Sequence, residues 1–474
     1  MKKNYTEENY SEMIQELFCR FPSFQKIGAG AYKPGIANME FADQLMGHPH
    51  RKYKIIHVAG TNGKGSVSNM LASVLAAYGN KVGLYTSPHI LDFRERMRVV
   101  SPQCSPEDGA GGYERLIPQQ DVWDFVQQWK DTFDHLDMSF FEITTMMALD
   151  WFAKQEVDWV VLETGLGGRL DSTNIVNPEM CVITNIGLDH CDMLGESLPE
   201  IAFEKAGIIK ARVPVVIGEN HPEIDAVFER KVLYTNLPEP CFMGNRTAIM
   251  SLLTFADKVE PSMWKSNEDI LASMDLKGEY QRKNLRTVLA ALDVLAGKGL
   301  LAMDASVVSE ALIHTAERTG FRGRWEKVSE NPHVICDIGH NEHGLKHNFA
   351  QLSRMKKEGE CSDLIIVYGS VADKDVDAVL HLMPEDACYI FTQAQSKRAL
   401  PADSVRERYL SYCNELDRMA DEAHVAYNVA DAVSLAYKIA SEKENEELSA
   451  KPLIYIGGST YVVSEAVEVL EKKA

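Results

Sequence analysis

Lys54-Ile-Ile-His-Val-Ala-Gly-Thr-Asn-Gly-Lys-Gly-Ser-Val67 is the stretch on which the fold turns. Its apolar opening, Lys54–Val58, reads as a strand, its glycines interrupt that strand, and Val67–Tyr78 reads as a helix. A strand, a glycine loop and a helix in that order point backbone N–H groups at a phosphate, and the small residues let the phosphate approach the backbone. Lys64 would neutralise β- and γ-phosphates, and Ser66 could reach Mg2+. The spelling departs from the general phosphate loop, which wants Gly at position 58 and Ser or Thr at 65, where Val58 and Gly65 stand. An ordinary glycine turn is the bland alternative. Lys64 followed by Ser66 favours phosphate binding.

Outward from this loop, short apolar runs recur at Lys81–Tyr85, Val157–Leu162, Met180–Thr184 and Pro214–Ile217, with helical stretches between most of them. Near-continuous apolar strands alternating with helices predict a doubly wound, mostly parallel α/β sheet. Before the loop, residues 1–50 read as a helix, a Gly-rich loop Gly28-Ala-Gly-Ala-Tyr-Lys-Pro-Gly35, and a second helix. After it, 278–316 reads as helical, with Leu285, Leu289, Leu292 and Leu295 on one face. Thr319-Gly-Phe-Arg-Gly-Arg324 then breaks the pattern and marks a domain boundary. The expected domains are residues 1–318, the phosphate-loop domain, and 319–474, a smaller Rossmann-like α/β domain with strands at Val334–Cys336, Leu364–Tyr368, Cys388–Thr392 and Leu453–Ile456. Pro102–Gln119 reads as a surface insertion, and the acidic run Ser441–Glu447 as a solvated helix end or loop.

A chain of 474 residues exceeds one ordinary core, which agrees with more than one domain. Apolar residues make up 45% and charged residues 25%, as in soluble globular proteins. No apolar run is long enough to span a bilayer. Met1-Lys-Lys-Asn-Tyr-Thr-Glu-Glu8 has no apolar core for a secretory signal, so the cytoplasm is the expected location. The nine cysteines are odd in number and never spaced Cys-x-x-Cys, which argues for free thiols over disulfides or structural zinc. The formal net charge of −20 repels nucleic acid, so any bound anion must rely on specific Lys and Arg residues.

In open α/β sheets, ligands sit beyond the carboxyl ends of the strands. Three such ends carry metal-competent groups: Thr86-Ser87-Pro88, Glu163-Thr-Gly-Leu-Gly-Gly168 and Leu188-Asp-His190. A hydroxyl, a carboxylate and an imidazole near Lys64 suit one or two Mg2+ ions on a triphosphate. Singly, Ser87 could be a turn residue and His190 a structural histidine; at matching strand ends, the functional reading is preferred. Lys205 opens a short apolar helix in Phe203-Glu-Lys-Ala-Gly-Ile-Ile-Lys210, and spacing alone makes it a surface lysine.

These pieces together resemble a known family. Gly60-Thr-Asn-Gly-Lys-Gly-Ser66 is similar to the phosphate loop of the Mur ligase superfamily. Lys33-Pro-Gly35, Thr86-Ser-Pro-His89, Arg94-Glu-Arg96, Phe140-Phe-Glu-Ile-Thr-Thr145, Glu163 to Asn174, Leu188-Asp-His190 and Glu204-Lys-Ala-Gly-Ile-Ile209 resemble its folate branch, the dihydrofolate synthase/folylpolyglutamate synthase enzymes. Only some fifty residues precede the loop, too few for the nucleotide-sugar domain of the cell-wall ligases. The resemblance implies ATP and Mg2+, two ions being expected, with Ser87, Glu163 and His190 as ligands and Lys205 carbamylated. It implies ATP contacts from Gly60, Thr61, Asn62, Gly63, Lys64, Gly65, Ser66, Asn284, Arg324 and Asp337. It places the pterin carboxylate substrate near Ala31, Tyr32, Lys33, Ser139, Leu170, Asp171 and Ser172. The family pattern Asp-x-Ala-His-Asn-Pro is here Asp337-Ile-Gly-His-Asn-Glu342, so Gly339 and Glu342 depart from it, and His340 is carried over to orient ATP or glutamate. Asp373-Lys-Asp375 fits the family's pattern after the next strand.

The implied activity is ATP-dependent addition of L-glutamate to dihydropteroate, to folates, or to both, through an acyl phosphate, in a cleft between domains that closes on ATP. The expected partners are these small molecules, with no nucleic acid, no membrane and a monomeric chain. Two alternatives stand beside it: a Mur-type ligase for another carboxylate and amino acid, and an ATPase that drives a partner's conformational change.

Overall fold

The computed structural model describes residues 4–21, 35–103, 114–236, 246–263, 267–417, 422–444 and 450–472. The chain divides into two compact units, Met1–Asp275 with Gln281–Phe321, and Leu276–Tyr280 with Arg322–Ala474.

The first unit is built on an eight-stranded sheet. Its strands are β1 (Lys54–Ala59), β2 (Val82–Tyr85), β3 (Met97–Val100), β4 (Glu114–Leu116), β5 (Trp159–Glu163), β6 (Met180–Ile183), β7 (Val215–Ile217) and β8 (Leu253–Phe255). Their order is β4-β3-β2-β5-β1-β6-β7-β8. β2, β5, β1, β6, β7 and β8 are parallel, and β3 and β4 run antiparallel at one edge. β5 and β7 are buried along their whole length, which is why their sequences are unbroken apolar runs rather than alternating ones. From β1 the chain crosses over β5 to β2, returns to β5, then passes β1 to reach β6. The strand order reverses around β1, so its carboxyl end is where a ligand is expected.

The helix after β1 is Lys64–Ala77, with Gly65 to Ala76 all buried. It packs on β1, β2 and β5 and against helices Gln281–Gly297, Ala305–Ile313 and Thr315–Thr319. Such an enclosed helix needs small side chains on every face, and Gly65, Ser66, Ser68, Ala72, Ser73 and Ala76 supply them. The Ser73 hydroxyl is satisfied by the Ala311 carbonyl at 2.7 Å. Helices Glu7–Arg20, Gln119–His135 and Phe140–Lys154 share a second core beside the sheet, in which Leu17, Trp123, Phe133 and Phe140 are buried.

The second unit carries a six-stranded sheet in the order β13-β12-β11-β14-β10-β9. These are β9 (Glu326–Glu330), β10 (His333–Cys336), β11 (Leu364–Tyr368), β12 (Cys388–Thr392), β13 (Ala423–Ala426) and β14 (Leu453–Gly457). All pairs are parallel except β9 with β10. Trp325, Phe349, Tyr368, Tyr389 and Tyr455 fill its core.

Several boundaries differ from the sequence reading. The helix after the phosphate loop begins at Lys64, three residues before Val67, because Gly63 takes the left-handed cap conformation at φ 81°. The stretch 278–316 holds two helices and the start of a third, Gln281–Gly297, Ala305–Ile313 and Thr315–Thr319, not one. Part of the supposed insertion is β4, followed by buried Ile117. Leu276–Tyr280, assigned by sequence to the first domain, packs with the second unit. There Tyr280 donates to Asp337 at 2.7 Å and Gln351 accepts the Glu279 N–H at 2.8 Å. Lys205 ends helix Leu198–Lys205 rather than opening one. Among the described residues, no helix is long and apolar enough to cross a membrane.

Candidate active site

The loop at the end of β1 is stitched to the segment that follows β6. Thr61 N–H donates to the Asn185 carbonyl at 3.0 Å, and Asn62 N–H to the Asn185 side chain at 2.9 Å. The Thr61 hydroxyl accepts the Gly187 N–H at 3.0 Å, and Thr184 donates to the Asn62 carbonyl at 2.6 Å. A Cβ on Gly60 would lie 1.8 Å from Thr184 Oγ1, and one on Gly63 would lie 2.3 Å from Asn284 Oδ1. Both positions are therefore closed to any side chain, and Asn284 is seated directly against the loop. Behind it Gln281 accepts from Asn284 at 2.8 Å and donates to the Ser66 hydroxyl at 3.2 Å. Gln281 did not emerge from the sequence: a glutamine in the first turn of a helix carries no signal of its own.

Two lysines converge on the loop. Lys64 Nζ donates to the carbonyls of Gly60 at 3.0 Å and Thr61 at 3.1 Å. Lys205 Nζ donates to the same Gly60 carbonyl at 3.0 Å and is only 4% exposed, so it is not the surface lysine that spacing suggested. Burial, with the charge of Lys64 second, lowers its pKa from 10.5 to about 7, against opposing pulls from Asp189 and Asp171. In a chain of net charge −20, Lys64 is the local cation that an anion would require, while Lys205 gives up its charge readily near neutral pH.

The lowered pKa has a thermodynamic consequence. The folded protein holds the Lys205 proton less tightly than the unfolded chain does, so stability rises with pH from about 7 toward 10.5 and the full cost is present below 7. Lys205→Met is expected to raise the melting temperature of the protein in CO2-free buffer at pH 6.5, by a few kcal/mol of stability at most, and to raise it much less at pH 10. A gain equal at both pH values would show that the amine titrates normally.

Glu163 ends β5, paired in register with Val58 of β1, and is 3% exposed. Ser87 follows β2, the other neighbour of β5, and donates its N–H to Glu163 Oε2 at 3.3 Å. The structure thus brings Ser87 and Glu163 together. His190 follows the Asn185–Gly187 segment that holds the loop; it takes a left-handed backbone at φ 54°, its Nε2 lies 3.8 Å from Asp189, and its side chain is 22% exposed. Among the described residues, no three His, Cys, Asp or Glu side chains converge as a metal cluster, and the expected set contains only two of those types. The residues expected to hold the metal, a buried carboxylate, a hydroxyl and one imidazole, would make a sparse, mainly oxygen donor set. That suits Mg2+, which keeps several waters and takes substrate phosphates as ligands.

The expected substrate residues are differently engaged. Ser139 caps helix Phe140–Lys154, accepting the Glu142 N–H at 3.3 Å while Glu142 accepts the Ser139 N–H at 2.6 Å. Asp171 is buried, and its carboxylate accepts from Leu166 N–H at 2.8 Å, Thr173 N–H at 3.0 Å and the Thr173 hydroxyl at 2.5 Å. It shapes the Gly165–Gly168 turn rather than presenting a carboxylate outward, and burial raises its pKa. Leu170 and Ser172 beside it are half-buried. Ala31, Tyr32 and Lys33, with the Gly28–Pro34 loop, lie outside the described residues.

In the second unit, Asp337 follows β10 as a clamp. Its Oδ1 accepts from Gly339 N–H and Asn348 Nδ2, both at 2.7 Å, and its Oδ2 from Tyr280 at 2.7 Å and Trp325 N–H at 2.8 Å. With four donors in place, this carboxylate organises the turn that carries His340. A Cβ on Gly339 would lie 2.9 Å from Asn348 Nδ2 and 3.0 Å from Asp337 Oδ1, so the tight clamp accounts for Gly339 where the family pattern has alanine. Asn341 caps helix Glu342–Glu358. His340 Nδ1 lies 3.0 Å from the Ile338 carbonyl, which makes Nε2 the acceptor of the neutral ring. Arg324 donates to the Gly323 carbonyl at 3.1 Å.

A parallel sheet with a glycine loop and lysine pair at its switch point, followed by a second α/β unit, defines a class. Residues 136–292 match the Mur ligase middle domain, and residues 323–445 match the Mur ligase glutamate ligase domain. Within that class the chain is 37% identical over 349 residues to the dihydrofolate synthase/folylpolyglutamate synthase of Bacillus subtilis (strain 168), covering 72% of this chain and 76% of the relative. It is 31% identical over 326 residues to the protein of the same name from Escherichia coli (strain K12), covering 69% of each. Among solved structures, Mycobacterium tuberculosis folylpolyglutamate synthase complexed with ADP superimposes with a TM-score of 0.77 and 25% identity, over 98% of this chain and 99% of that one. The chain belongs to the dihydrofolate synthase/folylpolyglutamate synthase family of the Mur ligase superfamily.

Proposed function

We propose that the protein uses ATP to add L-glutamate to dihydropteroate and to (tetrahydro)folate polyglutamates through an acyl phosphate, releasing ADP and phosphate. The observation that carries this reading is the convergence of Lys64 and Lys205 on the Gly60 carbonyl of a loop whose glycines admit no side chain. Such a site holds a polyphosphate, and the family's relatives are named for the ligation.

A carboxylate does not react with an amine near neutral pH, because its oxygen leaves poorly. An oxygen of the acceptor carboxylate attacks the γ-phosphorus, the bond to the bridging oxygen breaks, and ADP departs. The unprotonated amine of glutamate then attacks the acyl carbon, loses a proton, and the carbon–oxygen bond to phosphate breaks. Positioning and charge neutralisation dominate the first step. Residues 60–66 cradle the phosphates with their amides, Lys64 meets the β- and γ-phosphates, and Asn284 with Gln281 keeps the loop and Ser66 in place. Ser87, Glu163 and His190 would hold Mg2+, two ions in this reading, which would supply further neutralisation. Lys205, its amine neutral for much of the time near pH 7, is suited to carbamylation by CO2, which turns it into an anion beside the metal. Arg324 serves the nucleotide, while Asp337 acts on it through the His340 turn; His340 orients the incoming glutamate. Ser139, Leu170 and Ser172 border the pterin carboxylate, with Asp171 shaping their loop.

The test is a coupled assay with ATP, Mg2+ and glutamate, using dihydropteroate or tetrahydrofolate as acceptor, with products identified by mass spectrometry. Both acceptors are expected to gain one glutamate per ADP formed, by a chain that runs as a monomer of 53.0 kDa in light scattering. ADP without an amide product would refute the ligase reading. Loss of activity in Lys205→Ala, restored in part by acetate, is the outcome expected of a carbamate.

A further inference from the structure

The strand after Ser87 carries a buried cation that the proposed reaction does not use. Arg98 of β3 is 3% exposed. β3 runs antiparallel to β2 with Arg98 opposite Leu84, and Thr86 donates its N–H to the Arg96 carbonyl at 3.1 Å. The Arg98 guanidinium reaches two places at once. Nη2 donates to the Thr86 hydroxyl at 2.9 Å, and Nη1 donates to the Thr319 carbonyl at 2.5 Å. Thr86 is bonded to Ser87. Thr319 ends helix Thr315–Thr319, and Gly320 and Phe321 after it are the last residues of the first unit before Arg322.

The linker side of this contact is closely fitted. Gly320 takes φ 61°, and a Cβ there would lie 2.1 Å from both carboxylate oxygens of Glu114. Glu114 Oε2 is 3.9 Å from Arg98 Nη1, so a buried carboxylate balances the buried cation against the one residue type that the turn accepts. Burying such a pair is costly, and a well-packed apolar pair would often hold a fold at least as well. What an apolar pair cannot do is join two polar backbone-linked groups in one rigid planar fork, which is the particular capability of arginine.

We propose that Arg98 is a positioning residue that couples the Ser87 end of β2 to the linker leaving the first unit. The Thr86–Ser87 segment takes its metal-binding orientation while the Thr319 carbonyl is held, and the linker is held while Thr86 is in place. This rests on the reading of Ser87 as a metal ligand. It makes a statement that a simple staple does not: occupancy of the metal-nucleotide site changes the order of the linker.

The test needs no turnover. Trypsin cleavage at Arg322 of the full chain reports linker order, and Mn2+ binding is followed by electron paramagnetic resonance with Mn2+ and a non-hydrolysable ATP analogue. In wild type the Mn2+–nucleotide is expected to slow linker cleavage several-fold. Thr86→Val cuts one arm; Arg98→Lys keeps the charge opposite Glu114 but not the fork; Arg98→Met with Glu114→Gln removes both charges together. Each is expected to abolish the protection and weaken Mn2+ binding several-fold, and Thr86→Val, the mildest, is expected to keep the wild-type melting temperature. Protection that survives in Thr86→Val, or its absence in wild type, overturns the proposal. Failure of the ligase reading is separate: it appears as intact Mn2+-dependent protection with no amide product.

Discussion

Lys64→Ala lowers the turnover of glutamate ligation by about a hundredfold or more, roughly 2–3 kcal/mol of transition-state stabilisation, as expected when a preorganised charge is removed from a transferring phosphoryl group. The lysine stands in the first turn of helix Lys64–Ala77 and folds back onto the carbonyls of Gly60 and Thr61. It therefore acts twice, as a brace on the loop and as the charge that meets the nucleotide. The two can be told apart. Bracing is shared with Lys205 on the same carbonyl and with the Thr61, Asn62 and Thr184 bonds, so the melting temperature should change little while kcat collapses. Steady-state kinetics beside thermal unfolding checks this; turnover at the wild-type level would refute the role.

Glu163→Ala carries a similar loss, about a hundredfold in kcat/KM, with a different signature. Glu163 is buried at the end of β5 and accepts the Ser87 N–H, so its removal affects both the charge and the seat of a second ligand. Glu163→Gln keeps an acceptor for that N–H and removes only the charge. Both variants are expected to require much more Mg2+ for half-maximal activity, the glutamine variant with Ser87 still in place. If the Mg2+ dependence of Glu163→Gln matches wild type, Glu163 is not a metal ligand.

The interior parallel strands were legible because a strand buried on both faces must be written in apolar residues, as Trp159-Val-Val-Leu and Val215-Val-Ile are; buried, antiparallel β3 was missed, because Arg98 interrupts Met97-Arg-Val-Val100. The edges were not. β9 is half-exposed and reads Glu-Lys-Val-Ser-Glu, and β4 is three residues of mixed character, so neither carries a periodic signal long enough to separate from a loop. The helix start was misplaced because Lys64-Gly-Ser66 reads as loop, and only the Gly63 cap and the close packing of Gly65 reveal otherwise. Lys205 shows the limit of spacing most clearly: a lysine among apolar residues looks like a solvated helix face, yet the Gly60 carbonyl draws it inward. Asp337 shows the converse. Its place after a strand was visible, but the four donors that occupy it come from Tyr280, Trp325, Gly339 and Asn348, a convergence that only the folded chain assembles.

The acyl phosphate is the step on which the functional account stands, and oxygen transfer reports it directly. Dihydropteroate labelled with 18O in its carboxylate is incubated with ATP, Mg2+ and glutamate, and the inorganic phosphate is analysed by mass spectrometry. The account predicts that each phosphate released carries one oxygen from the carboxylate, in step with amide formed. Phosphate that carries no label while amide accumulates would contradict it.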